Sequence, residues 1–276
     1  MNAKYLKLTQ KTILTVIMLV LSIVTILPFI WMLSASFKPT ADVFEFPIRW
    51  IPKKIIFENY VTVWFARFQT YFLNSVKVSV ISVVGEVITS ALAGYAFAKI
   101  KFKGKEAAFI LYIATLMFPH QMLLVPRFVL YRLMGLYNSL WALMLPGIFS
   151  AFGTFLFRQF IATIPDELIE AAKMDGCRHF RIFWRIIIPL SLPVISTLVI
   201  FSFVGSWNNY ENALVFLSNK TLYTIPLGLL QFQSEEQTNY GAIMAASVLS
   251  LMPIFLVFLS LQKYFIEGIA TSGLKG

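Results

Sequence analysis

Charge and cysteine are both scarce in this sequence of 276 residues. Charged residues make up 13% of the chain and apolar residues 58%, whereas a soluble domain carries about a quarter charged residues and less than half apolar ones. This balance excludes an ordinary globular protein in water and indicates a membrane protein that crosses the bilayer several times. The single cysteine, Cys177, excludes an internal disulfide and a multi-cysteine metal site.

The sequence motifs of common catalytic centres are also missing. The chain has no GxxxxGK[ST] phosphate loop, no HExxH metal motif and no GxSxG nucleophile elbow. Its two histidines, His120 and His179, lie far apart. The net charge of +10 is spread over several short loops and forms no single basic face. We therefore expect neither an enzyme nor a nucleic-acid-binding protein, and we expect no cofactor and no metal site.

Six long apolar runs follow one another along the chain, and a helical span needs about 20 residues. The runs are continuously apolar and do not alternate, which favours helices over barrel strands. The predicted spans are residues 12–33, 71–97, 107–130, 139–157, 189–217 and 240–261. We expect the third to be broken at Pro119 and Pro126. The prediction is one all-α transmembrane domain over 1–276, with a first helix at about 12–33 and core helices between about 71 and 261.

The first run is longer than the apolar core of a signal peptide, which has about 7–15 residues. We therefore expect a retained helix, and a cleaved signal is the alternative. Most of the lysines and arginines lie on one side of the membrane if the amino terminus is cytoplasmic, as the positive-inside rule requires. This orientation places both termini in the cytoplasm and the loops at 34–70 and 218–239 outside.

A charged segment at about 158–189 separates the fourth and fifth spans. Pro165 and Asp166 are typical of a helix start, and Gly176 permits a left-handed turn. A second short helix is expected from Arg178, with Phe180, Phe183 and Trp184 on one side. Small residues and exposed aromatics beside a bend indicate a surface on which another protein docks. The alternative is an amphipathic helix that lies on the lipid surface.

The fifth predicted span contains an unusual polar cluster. Trp207, Asn208, Asn209 and Tyr210 stand together near its end. Polar residues at membrane depth usually face a cavity, and amides together with aromatic rings suit sugar hydroxyls and apolar sugar faces. Asn74 in the second span is a further candidate for the substrate path. Trp and Tyr are also enriched at the water–lipid boundary, so an interfacial position is the alternative for this cluster.

The charged segment contains Glu170-Ala171-Ala172, Gly176, Ile188-Pro189 and Pro193, and the rest of the chain contains the elements Phe72 to Ser75, Ala93 to Ala98, Trp207 to Tyr210 and Tyr264 to Gly268. With these elements the charged segment resembles the EAA loop of ATP-binding cassette (ABC) importer permeases, and the whole chain resembles the maltose-type carbohydrate-uptake family with its type I importer fold.

This resemblance implies a bacterial cell-membrane permease subunit that forms half of a sugar pathway. Its implied partners are a second homologous permease subunit, two ABC ATPase subunits and an extracellular or periplasmic solute-binding protein. It also implies that Glu170 meets a basic group on the ATPase and that Ala171, Ala172 and Gly176 permit tight packing. The segment from Asp175 through Arg178 and Phe180 to Phe183 is then the lever. Alternatives are an ABC importer for a non-sugar solute, such as a glycerol phosphodiester, and a secondary transporter that acts alone.

Overall fold

The computed structural model describes the backbone of residues 3–232 and 238–273, and the side chains of residues 10–232 and 238–266. Helices make up most of this part of the chain, which confirms the predicted all-α class. The chain divides into two compact units, residues 1–68 with 229–251 and residues 69–228 with 252–276. The proposal of a single permease domain stays a prediction.

The first unit contains two helices and the beginning of a third. They are α1 (Ala3–Ser36), α2 (Glu58–Val63) and the first part of α14 (Tyr240–Gly273). The apolar stretch of α1 from Gln10 to Ser36 has none of its membrane-length window buried within the protein, as expected for a helix in lipid. Buried Asn59 donates hydrogen bonds of 2.8 Å to the carbonyl oxygens of Ser36 and Lys38, which ties α2 to the end of α1.

The second unit is built around the long helix α3. Its helices are α3 (Gln69–Lys99), α4 (Lys105–Ala114), α5 (Leu124–Leu133), α6 (Trp141–Gly147), α7 (Ala151–Ala162), α8 (Asp166–Met174), α9 (His179–Ile182), α10 (Ile188–Leu190), α11 (Leu192–Trp207), α12 (Tyr210–Phe216) and α13 (Ile225–Gly228), followed by the end of α14.

Small residues let α3 lie close to α7, as is common between membrane helices. A Cβ atom on Gly94 of α3 would lie 2.9 Å from the backbone nitrogen of Arg158, and closer still to the Cβ of Phe157. The helix α3 also packs along α11. These contacts make α3 the axis of the second unit.

Four helices in the described residues are long and apolar enough to cross a bilayer, and the number rises to six if two bent helix pairs each count as one span. One pair bends by 91° between Met117 and His120, and the other bends by 75° between Leu190 and Leu192. The predicted break at Pro119 is present. The predicted break at Pro126 is wrong, because this proline lies in the first turn of α5, where its missing N–H costs no helical hydrogen bond.

The fifth span ends earlier than the sequence predicts. Its helix α11 stops at Trp207 instead of continuing to Leu217. The backbone breaks at Asn208 and Asn209, and the separate helix α12 begins at Tyr210. The polar cluster predicted inside the span therefore lies at a helix boundary.

Candidate coupling elbow and polar cavity

The segment from Asp166 to Ile187, here called the elbow, folds as two short helices around a glycine turn. Helix α8 has acidic residues in its first turn and Lys173 in its last, an arrangement that complements the helix dipole. Gly176 follows with a φ of 79°, in the left-handed region. The amide of Cys177 donates a 2.9 Å hydrogen bond to the carbonyl oxygen of Ala172, which closes the helix end.

The two faces of α8 have different surroundings. Ile169 and Ala172 are buried against the bundle, whereas Glu170 and Ala171 are exposed and Met174 is 89% exposed. Of the three residues of the EAA pattern, the first two therefore lie on an open surface. The third, Ala172, faces inward, and its role in tight packing stays a prediction.

The aromatic residues of the second half of the elbow point in two directions. Phe180 is 71% exposed and stands 6.2 Å, ring to ring, from the exposed Trp184 one turn later. Phe183 is 2% exposed, and its ring lies 5.7 Å from that of Tyr95 on α3. The expectation that all three share one side is wrong, because Phe183 faces the core whereas Phe180 and Trp184 are exposed. The helix changes from α to π geometry at Phe183.

The buried side of the elbow is continuous with the core of the second unit. One apolar cluster joins Ile169, Ile182 and Phe183 of the elbow to Phe157 of α7 and Leu198 of α11. Because protein cores are close-packed and transmit displacement, a force on the elbow reaches the helices of the bundle directly.

Polar contacts also tie the elbow to the end of α3. The Lys99 ammonium lies 2.6 Å from the Asp166 carboxylate and donates a 2.6 Å hydrogen bond to the carbonyl oxygen of Ile164. The hydrogen bond from Lys99 and its positive charge hold the pKa of Asp166 below its usual range. Tyr95 adds a 2.9 Å hydrogen bond between its hydroxyl and Nδ1 of His179. Both halves of the elbow are therefore fastened to one helix.

The predicted substrate-path residues on α3 and α11 have structural contacts instead. Asn74 is buried, and its Nδ2 donates hydrogen bonds of 2.9 and 3.0 Å to the carbonyl oxygens of Thr221 and Tyr223. Trp207 is 2% exposed and stacks on Phe203 with the ring centroids 5.4 Å apart. These contacts hold the bundle together, and a role of either side chain in the substrate path stays a prediction.

The rest of the polar cluster is divided among three surroundings. Asn208 is exposed, and half-buried Tyr210 packs beside the apolar cluster around α6 and α12. The Asn209 side chain caps α12, because its Oδ1 accepts hydrogen bonds of 3.2 and 2.8 Å from the backbone and side-chain nitrogens of Asn212. Of the five predicted substrate-path residues, Asn209 alone lines the cavity described next.

A polar cavity of about 310 Å³ lies within the second unit. Its polar lining residues are Ser82, Glu86, His120, Ser202, Ser206, Asn209 and Asn212, and apolar residues such as Leu143, Phe152 and Phe201 complete the wall. The Ser202 and Ser150 hydroxyls lie near the Glu86 carboxylate. Such a mixture of apolar wall and a few polar groups is typical of small-molecule sites.

The sequence contains one signal for this cavity, the spacing of three polar residues. Ser202, Ser206 and Asn209 are spaced four and three residues apart, which places them along one face of a helix. Glu86 has no such local spacing to these residues, because it lies on another helix, α3. His120 lies at the bend after α4 and lines the cavity from there, and no local sequence pattern links this bend to α11.

The fold and these two sites define a polytopic membrane transport subunit with a polar cavity and an anchored, partly exposed elbow. The family model for the binding-protein-dependent transport system inner membrane component matches residues 86–271, more than half of the chain. The chain belongs to this family of membrane transport subunits, whose members are not enzymes. This confirms the family resemblance and the expectation that the chain itself has no catalytic role.

Two relatives and one solved structure illustrate the likeness. The arabinooligosaccharides transport system permease protein AraQ of Halalkalibacterium halodurans is 33% identical, with 96% of each chain covered. The diacetylchitobiose uptake system permease protein DasC of Streptomyces coelicolor is 33% identical, with 93% of this chain and 94% of the relative covered. A chain of a bacterial ABC transporter involved in import of the acidic polysaccharide alginate shares the fold, with a TM-score of 0.83 and 24% identity over 96% of this chain and 99% of that chain.

Proposed function

We propose that the chain forms half of a membrane pathway for a sugar or oligosaccharide and that separate ABC ATPase subunits drive it through the elbow. The observation that supports the proposal is that one side of the elbow is exposed and the other is buried. Its outer side exposes Met174 and Phe180, while its inner side belongs to the core of the bundle. Large exposed apolar residues next to charges mark a site of protein interaction.

The proposed coupling residues fall into two groups. Glu170, Ala171, Asp175, Gly176, Arg178 and Phe180 are exposed and are proposed to contact the ATPase. Ala172 and Phe183 are buried, and their proposed role is to carry the movement into α3 and α7. ATP binding must favour one of two helix arrangements for the cycle to proceed.

The proposed cargo is a saccharide because of the relatives and the cavity. AraQ is named for the transport of arabinooligosaccharides and DasC for the uptake of diacetylchitobiose. The cavity offers hydroxyl, amide and carboxylate groups that suit sugar hydroxyls. A phosphate-bearing solute, such as a glycerol phosphodiester, would be expected to use lysine or arginine in the lining. No described lining residue is of either type.

The remaining partners follow from the same proposal. A second homologous permease subunit completes the pathway, two ATPase subunits lie at the cytoplasmic face, and an external solute-binding protein delivers the sugar. Both termini and the elbow are cytoplasmic in this arrangement. A secondary transporter would not require an ATPase at the elbow, so contact with an ATPase separates the two classes.

A cross-linking experiment tests the contact. A photoreactive group is attached to Met174→Cys in a Cys177→Ser background, in membranes of the native cells. We expect adducts that mass spectrometry identifies as ABC ATPase subunits. The matched control is Leu133→Cys on α5, which is 81% exposed and predicted to lie on the opposite side of the membrane. Absence of ATPase adducts from position 174, or equal labelling from position 133, would contradict the proposal.

A further inference from the structure

The cavity around Glu86 has a charge pattern that restricts the chemistry of its occupant. Glu86 is the lining residue with a carboxylate, and the other polar lining groups are serine hydroxyls, amides and one imidazole. Among the described lining residues there is no lysine or arginine. A solute that enters this space therefore meets hydrogen-bonding groups and a carboxylate.

One cation, Arg127, lies next to the lining, and both Nη atoms of its guanidinium already have partners. Its Nη1 is 2.8 Å from Nε2 of His120, and its Nη2 donates a 3.3 Å hydrogen bond to Oδ1 of Asn212. The guanidinium also lies over the rings of Tyr131 and Phe216, at 5.6 and 5.2 Å from their centroids. Arg127 thus positions two lining residues and is engaged by cation–π contacts.

The contact with Arg127 also sets the state of His120. A guanidinium has donors and no acceptor, so Nε2 of His120 accepts the hydrogen bond and the imidazole is neutral with its proton on Nδ1. The cavity therefore has no positive charge on its inner surface to balance an anionic solute. The Glu86 carboxylate would repel such a solute, and a partly buried site screens this repulsion less than bulk water does.

We propose that this cavity is a subsite for uncharged sugar units, in which Glu86 accepts hydrogen bonds from sugar hydroxyls and disfavours uronate units. Ser202 and Ser206 of α11 line the cavity together with Asn209, which follows that helix, and supply further donors and acceptors. The inference rests on the proposed function, because it names the class of saccharide that the pathway accepts. It assigns binding to side chains that differ from the predicted tryptophan and tyrosine.

The test uses the complete transporter, purified with its partner subunits and binding protein and reconstituted in proteoliposomes. The probes are a mixture of neutral arabino- and galacto-oligosaccharides and a mixture of uronate oligosaccharides from alginate, and accumulation is measured by mass spectrometry. We expect ATP-dependent accumulation of neutral sugars only. The variant Glu86→Gln should raise the half-saturation concentration for the neutral sugars about tenfold and reduce the discrimination against uronates.

Two further variants keep the result interpretable. Ser206→Ala removes a lining hydroxyl with little change in volume and should raise the half-saturation concentration severalfold, even if Glu86→Gln assembles poorly. Glu58→Gln removes an exposed carboxylate of α2 outside the lining and should behave as wild type. Uptake of uronates by the wild type, or an unchanged half-saturation concentration in both cavity variants, would overturn the proposed subsite. In either case ATP-dependent uptake would still support the proposed function. If neither mixture accumulates, both proposals fail.

Discussion

A substitution at Gly176 best distinguishes the effect of local backbone strain from the loss of the proposed ATPase contact. Its φ of 79° is in the left-handed region, and a Cβ atom there would meet no other atom within 4 Å. A substitution therefore causes backbone strain without a clash inside the chain. We expect Gly176→Asp to insert normally in the membrane and to abolish sugar uptake, because the added side chain projects from the surface where the ATPase is proposed to sit.

The magnitude of the strain shows that stability alone would not explain such a loss. A residue other than glycine in the left-handed region costs about 1–2 kcal/mol, and aspartate is among the better tolerated. About 1 kcal/mol changes the ratio of folded to unfolded protein roughly fivefold, against a typical total stability of about 5–15 kcal/mol. Almost all of the variant therefore remains folded.

Gly135 is the matched control for this prediction. It has a φ of 69°, and a Cβ atom there also meets nothing within 4 Å, but it follows α5, outside the elbow. Gly135→Asp should have similar strain and normal uptake. The assay combines membrane quantity, ATPase co-purification and ATP-dependent sugar uptake. Normal uptake in Gly176→Asp would refute the docking argument, and so would equal loss in both variants.

Three further outcomes follow from contacts within the second unit. Asn74→Leu should lower the thermal midpoint of unfolding, because two backbone carbonyls lose their hydrogen-bond donor, which destabilises the protein by about 1–3 kcal/mol. The half-saturation concentration for sugar should not change. A changed half-saturation concentration with normal stability would instead support a place for Asn74 in the substrate path. Gly94→Ala should destabilise the protein by about 1–3 kcal/mol through overpacking. The control Gly205→Ala, with no atom within 4 Å of the new Cβ, should be neutral or stabilising. Equal thermal midpoints for the two variants would contradict the close approach of α3 and α7. Asp166→Asn should speed hydrogen exchange in the elbow at neutral pH. The pKa of Asp166 is lowered from 3.8, so its anchoring contribution is present above pH 3.8 and is lost as the pH falls through the lowered pKa. Hydrogen exchange in the wild-type elbow, corrected for its intrinsic rate, should therefore be constant between about pH 5 and 8. Faster corrected exchange at either end of that window would exclude this carboxylate as the anchor.

The long-range contacts explain which site residues were predicted and which were not. The elbow was predictable because its acids, its glycine and its prolines act within a few residues of one another. The cavity was not, because Glu86, His120 and Asn209 come from separate segments of the chain and meet only after α3 packs on its neighbours. Trp207 and Asn74 are predicted to line the path because their chemistry suits sugars. Only the tertiary structure shows that Trp207 stacks on Phe203 and that Asn74 donates to two backbone carbonyls.

Composition and local pattern alone determined that the chain is a membrane protein, that it is helical, and that a glycine-centred elbow interrupts the spans. These properties depend on average hydropathy and on the conformational preferences of neighbouring residues, which are present before any folding. Only the tertiary structure decided that Phe183 faces inward, that Lys99 and Tyr95 fasten the elbow to α3, and that one carboxylate lies in a cavity without lining cations. Each of these depends on which side of a helix meets another helix, and close packing between distant segments sets that choice.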